Sequence, residues 1–362
     1  MAARTWLLGL AATTLAGAGG AFMFRGELAT ALIDRAARQA MSADLTAELP
    51  DGLHAAFCGT GSPLPDRTRA GPCLAVIAGN HVFVFDAGEG ASETLAMMGV
   101  TQGDVETVFL THLHSDHFDG LAPLALQHWA TVSATAPLQV VGPVGAAQVA
   151  AGLNQAYAID AGYRTTHHGP QVMPPSGAGM HATEFMVPAT DGERIVVYDQ
   201  DGVRISAFRV DHAPTDAAGY RVEYGGRSLV ISGDTARSRS LTIAAQGADL
   251  LVHEAISPRI DRAMHDAAAA AGRTGVSAIF DDILEYHTSP EDAGAVAQEA
   301  GVGALAITHF LPQPALPGLT ATFVRDAKRT FSGPVWAMRD GDVISLPSTG
   351  GIERSHHLRF GG

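Results

Sequence analysis

The stretch FLTHLHSDHFDG, Phe109 to Gly120, sets His112, His114, Asp116 and His117 in an H-x-H-x-D-H pattern behind an apolar run. Imidazole nitrogen and carboxylate oxygen suit zinc or another borderline divalent metal. Such groups are poor core material unless something partners them. VETVFL reads as a short buried strand, so the cluster starts on the loop at that strand's C-terminal end. A loop can aim these side chains at different points, which a straight strand or helix cannot. Four candidate ligands so close together exceed the needs of one open catalytic metal and imply two. Three later residues each close an apolar strand: His212 after VRISAFRVD, Asp234 after RSLVISG and His309 after ALAIT. Layered α/β folds build their sites at strand ends.

The elements that must carry these ligands follow from local patterns. LHAAFCG reads as a strand, and CLAVIAG with HVFVFDAG as a hairpin turning at Gly79 and Asn80. Further strands are expected at LQVVG, RIVVY, GYRVEY, DLLVHE and PVWAM. Helices are expected at Ala91 to Met98, Gly145 to Tyr157, Arg237 to Gln246, Pro290 to Ala300 and Thr320 to Thr330. Ser289 and Pro290 suit an N-cap and a first helical position. The segment from Ala158 to Ala182, rich in Gly, Pro and His, reads as a long loop. Strands and helices in this order give a mixed α/β body of two sheets covered by helices.

Composition sets the outer limits. The chain has 362 residues, is 46% hydrophobic and carries a net charge of −14, with one lysine, Lys328. The acidity argues against a polyanionic partner such as nucleic acid. Two cysteines exclude a disulfide scaffold or a Cys-based zinc finger. Cys58 and Cys73 lie on consecutive expected strands and are either paired or simply two small buried residues. Trp6 to Phe24 is apolar and uncharged. That is close to the roughly 20 residues a membrane-spanning helix needs. AGAGGA also supplies the small residues of a cleavage site. An export signal or an uncleaved membrane anchor is therefore expected, with a periplasmic or other extracytoplasmic location. The expected organisation is a leader or anchor with linker over 1–45, a catalytic body over 46–350 and a tail over 351–362.

Taken in order, FCGTGSPLP, FDAGEG, THLHSDH, VDHAP followed by GYRV, ISGDT, LVHEA, YHTSPED and ITHF resemble the metallo-β-lactamase superfamily across about residues 53 to 345. More narrowly they resemble its branch of tRNase Z-type ribonucleases and zinc arylsulfatases. The resemblance implies an αββα four-layer sandwich, two packed mixed β-sheets flanked by helices. It implies two zinc ions, one held by His112, His114 and His212, the other by Asp116, His117 and His309, with Asp234 bridging. Asp86 in FDAGEG would brace the histidines. His287 would face the leaving group and Glu254 would orient it, so His287, Glu254 and Asp116 are the catalytic candidates. His253 is expected to be structural.

The reaction expected from that set is metal-assisted hydrolysis of an anionic small-molecule ester, a sulfate or phosphate. The arylsulfatase-like reading rests on GTGSPLPDRTRAGPC and YRTTHHG. Arg67 and Arg69 could hold an anionic group, and His167 and His168 could sit near substrate on the long loop. A ribonuclease Z-type endonuclease is the alternative. Against it stand the acidity, the export signal and GYRVEYGGRSLVISGDT, which runs through without the long basic arm such enzymes carry there. A lactonase or β-lactamase, and a non-catalytic metal-binding module, complete the alternatives. Relatives commonly form homodimers, although no stretch here reads as an interface.

Overall fold

Leu53, Ala55 and Phe57 alternate with His54, Ala56 and Cys58 along β1 (Gly52–Gly59), and all are buried. A strand covered on both faces belongs inside a layered body. The computed structural model describes residues 25–314 and 316–358. The expected apolar span, Trp6 to Phe24, lies outside them. Among the described residues no helix is long and apolar enough to cross a membrane. The chain divides into a unit ending at Asp44, containing the helix Arg25–Met41, and a unit from Leu45 onward.

Two sheets make up the second unit. The first adds β2 (Cys73–Ala78), β3 (His81–Phe85), β4 (Val105–Phe109), β5 (Leu138–Pro143), β6 (Met180–Phe185), β14 (Asp342–Pro347) and β15 (Glu353–His356) to β1. Its order is β15-β14-β1-β2-β3-β4-β5-β6. The second holds β7 (Ile195–Gln200), β8 (Val203–Arg209), β9 (Ala218–Tyr224), β10 (Arg227–Ile231), β11 (Leu250–Ile256), β12 (Ala304–Leu311) and β13 (Val335–Ala337). Its order is β13-β12-β11-β10-β9-β8-β7. Both sheets are mixed. β3 to β6 run parallel, as do β10 to β13, because helices cross between them.

Three apolar layers hold the sandwich. Leu53, Phe57, Phe83, Phe85 and Phe109 of the first sheet meet Ile205, Tyr220, Val222, Leu250 and Val252 of the second. The Phe85 and Phe109 rings stack at 5.1 Å, with Tyr220 edge-on. Tyr220 is fully buried, and its hydroxyl donates to the Leu110 carbonyl at 2.6 Å, which satisfies its polar end. On the outer face of the first sheet, Leu95, Met98, Leu121 and Leu124 come from the helices Ala91–Met98 and Leu121–Val132. On the outer face of the second, Val296 and Phe323 come from the helices Pro290–Ala300 and Thr320–Ala327. This is the expected four-layer αββα arrangement.

Local detail departs from expectation at particular places. The expected loop over 158–182 is instead the end of a helix, Ala146–His168, followed by a turn and β6. Only Ala146 and Ala150 of that helix are buried, so it writes no apolar stripe for a sequence reading to find. The helices Leu121–Val132, Pro258–Ala270 and Thr274–Asp282 were not anticipated. The alanine run at 267–271, rich in the best helix former, was the available sign for the second of them. Cys58 and Cys73 form a disulfide, closing the loop between β1 and β2.

Candidate metal centre

The ends of several strands converge at one rim of the sandwich. Asp86 follows β3, His112 to His117 follow β4, His212 follows β8 and Asp234 follows β10, while His309 lies within β12. Two of these positions are bent out of regular strand geometry. Asp86 has φ 57° and His309 has φ 43°. In the β11–β12 register Glu254 pairs with Thr308 and Ala255 with Phe310, so His309 is the extra residue of a bulge. Bulges re-aim side chains beside active sites, and left-handed non-glycine residues persist where surrounding contacts over-determine them.

The loop after β4 is held by Asp86. One carboxylate oxygen accepts from the Thr111 amide at 2.8 Å. The other accepts from the Thr111 hydroxyl at 2.8 Å and receives His117 Nδ1 at 2.8 Å. Occupying Nδ1 leaves His117 Nε2 as the free ligand atom. Thr111 Oγ1 also lies 3.1 Å from His112 Nδ1. Gly88 in FDAGEG and Gly120 at the end of the histidine loop permit this closeness. A Cβ on Gly88 would come within 2.4 Å of the Asp116 carbonyl, and one on Gly120 within 2.0 Å of the Gly88 carbonyl.

Two groups of donors result. In the first, His112 Nε2 is 2.9 Å and His212 Nε2 is 3.3 Å from His114 Nδ1, so three imidazole nitrogens meet. His212 Nδ1 is taken by the Tyr286 carbonyl at 2.9 Å, again reserving Nε2. Burial lowers the pKa of His112, His114 and His212, which favours the neutral, metal-binding form. In the second group, His117 Nε2 and His309 Nε2 each lie 3.6 Å from Asp116 Oδ2. Both also lie 3.4 Å from an Asp234 oxygen. Asp234 Oδ2 stands 4.0 Å from both His112 Nε2 and His212 Nε2, so this carboxylate joins the two groups.

The second group tests whether a metal fits. Asp116 Oδ2, His117 Nε2, Asp234 Oδ1 and His309 Nε2 are buried with no hydrogen-bond partner among the described residues. Buried polar atoms are rarely left so, and an ion is one of the few satisfactory partners. Tetrahedral ligand atoms at roughly 2.0–2.1 Å from a zinc ion stand about 3.4 Å apart. The observed spacings match that figure. The electrostatics agree. Burial pushes His117 and His309 down, but Asp234 together with Asp86 at His117, and together with Asp116 at His309, more than offsets it and their pKa values rise. Burial would raise Asp234, yet His309 and His117 hold it well below the usual carboxylate range. This side of the site is dominated by negative charge and favours a cation.

His287 stands beside these groups, its ring 5.0 Å from that of His212. Its Nδ1 meets Glu254 Oε1 at 3.0 Å, and both side chains are almost completely buried. The same oxygen accepts from the Thr288 amide at 3.1 Å and the Thr235 amide at 3.2 Å, which fixes the carboxylate. Burial lowers the His287 pKa, but Glu254 and Asp234 more than reverse it. His253 is buried outside the donor groups, its Nδ1 2.8 Å from the Glu254 carbonyl.

Some expected site residues do not join. His167 and His168 are exposed at the end of the helix Ala146–His168, because the segment carrying them is not a loop over the site. Arg69 is committed to the fold. Its guanidinium bonds Thr60 and the Met338 carbonyl and lies 4.7 Å above the Phe310 ring. Arg67 is exposed on a cleft of about 1130 Å³ that reaches Asp116. Thr111 and the Tyr286 carbonyl were not singled out from sequence. Thr111 sits directly before the first histidine and offered a sign, whereas a backbone carbonyl offers none.

Comparison with known proteins identifies the family. The profile of the metallo-β-lactamase superfamily matches residues 67–271. Ribonuclease Z of Mycobacterium sp. (strain KMS) is 37% identical over 281 residues, covering 77% of this chain and 91% of that protein. Ribonuclease Z of Mycobacterium marinum (strain ATCC BAA-535 / M) is 40% identical over 257 residues, covering 70% and 85%. The crystal structure of human tRNase Z, short form, shares the fold with a TM-score of 0.55 at 23% identity, covering 81% of this chain and 99% of that one.

These relatives overturn two expectations. A ribonuclease acts on RNA, so neither the small-molecule ester nor the exclusion of a nucleic-acid partner stands. The exclusion rested on net charge, which averages over the whole surface and counts no bound cation, whereas recognition is decided at the site. The profile match, the identity to these relatives and the converging donors place the chain in the metallo-β-lactamase superfamily, as a metal-dependent hydrolase.

Proposed function

We propose that this protein is a ribonuclease Z-type endonuclease that hydrolyses a phosphodiester bond in RNA. The observation that carries the reading is the 37% identity to a ribonuclease Z across 91% of that relative's length. The donor geometry supports a pair of zinc ions. His112, His114 and His212 would hold one, Asp116, His117 and His309 the other, and Asp234 would serve both. When bound, such a pair supplies Lewis acidity, activating water near neutral pH and offsetting charge on the phosphate.

The chain's own residues do the rest. Asp86 and the Tyr286 carbonyl hold His117 and His212 in the tautomer that offers Nε2. Glu254 fixes His287 through Nδ1, so Nε2 is the nitrogen that can present a proton to the leaving oxygen. Asp116 lies on both the donor cluster and the cleft, and so borders the substrate.

The test is cleavage of a labelled RNA by the full chain, with and without chelator, alongside bis-p-nitrophenyl phosphate. RNA cleavage lost on chelation and restored by zinc is expected. Hydrolysis of the small diester with RNA left intact would sink the RNA assignment. Cleavage indifferent to chelator would sink the metal assignment.

A further inference from the structure

The cleft beside Asp116 has a wall that the proposed chemistry does not use. Besides the carboxylates Glu89, Glu93 and Asp119, the cleft is lined by Arg67 and by Arg339, His356 and Leu358. The last two belong to a segment that a sequence reading treats as a tail, yet the fold anchors it specifically. β15 pairs antiparallel with β14, Asp342 opposite His356 and Ser345 opposite Glu353. Asp342, only 1% exposed, accepts from Arg354 Nη2 at 2.7 Å and from the Arg339 amide at 3.0 Å, and lies 2.9 Å from His356 Nδ1. The His357 amide donates to the Gly341 carbonyl at 2.7 Å. Leu358 packs against the helix-side core of the first sheet, in a space that a Cβ on Gly341 would fill.

We propose that this segment and Arg339 form a wall of the RNA groove and grip the sugar-phosphate backbone beside the scissile phosphate. The inference rests on the ribonuclease reading above. A strand closed over a buried carboxylate and seated on the core is a rigid support, which positioning requires. Arg339 is exposed and makes no ion pair among the described residues, so its guanidinium is available to a phosphate. Arg69, by contrast, is held by the fold. Bis-p-nitrophenyl phosphate has a single phosphate, the reacting one, and offers no second phosphate for Arg339 to hold. The wall therefore acts on affinity for RNA and not on the chemical step.

The experiment compares the full chain with Arg339→Ala, Leu358→Ala and a chain ending at Thr349. KM and kcat are measured on RNA and on bis-p-nitrophenyl phosphate, with metal content and salt dependence. The truncated chain should show a KM for RNA raised about tenfold, equivalent to about 1.4 kcal/mol, with hydrolysis of the small diester retained. Arg339→Ala should weaken RNA binding and flatten the slope of log K against log salt by about one. Unchanged RNA kinetics in all three would overturn the wall. So would equal losses on both substrates, which would mean damage to the metal centre. If the truncated chain does not fold, the two point variants decide. A wild-type chain that hydrolyses the diester but not RNA overturns the ribonuclease reading itself, and the wall with it.

Discussion

At the scale of single residues the site is defined by which ring nitrogen is spoken for. His117 and His212 each commit Nδ1, to Asp86 and to the Tyr286 carbonyl, and keep Nε2 for a metal. His287 commits Nδ1 to Glu254 and belongs to a different task. The variants should separate accordingly. His114→Ala and Asp234→Ala are expected to lose both bound metal and hydrolysis, read by elemental analysis beside turnover. His287→Ala should keep its metal while turnover drops by about 10²–10⁴, the usual worth of general acid catalysis. Full activity in that variant would remove His287 from the mechanism. Asp86→Asn disturbs a brace and no ligand, so it should weaken metal binding by about 10–100-fold in a chelator competition. Unchanged affinity would make Asp86 a loop-shaping residue only.

At the scale of elements, strand ends, and for His309 a bulge within β12, deliver the candidate ligands, and short connections set their aim. The bulge at His309 and the tight turn of FDAGEG against the loop after β4 are both local departures from regular structure. The disulfide between Cys58 and Cys73 closes the loop that carries Arg67 onto the cleft. A crosslink over a sequence separation of 15 restricts the unfolded chain by about 3 kcal/mol. The Cys58→Ala, Cys73→Ala double variant should lose stability of that order in denaturant titration, with metal content kept. No change in midpoint would mean the thiols contribute by packing alone.

At the scale of the whole molecule, the two sheets enclose one apolar layer and hold both donor groups at a shared rim. A metal that binds only the folded body adds stability by mass action, about 2.7 kcal/mol at a hundredfold excess over Kd. Chelation should therefore lower the midpoint of thermal unfolding, and Asp234→Ala should show the lower value with or without chelator. A midpoint unmoved by chelator in the wild type would mean that no metal is held at these donors in the folded state.

The sequence by itself determined the ligand types, their order along the chain and the layered class, because H-x-H-x-D-H, the later strand-end residues and the apolar strands are local patterns. It left three things to the tertiary structure. The exposed helix Ala146–His168 has no periodic apolar face to announce it, so His167 and His168 were given a place near the site that the fold denies them. Arg67 and Arg69 look alike as neighbours in a loop. Only the approach of Thr60, Met338 and Phe310 ties Arg69 into the fold and leaves Arg67 on the cleft. The last is how charge is distributed at the site. Net charge is a sum without position, whereas the cleft, its C-terminal wall and the buried carboxylates at the rim exist only once distant strands are brought together.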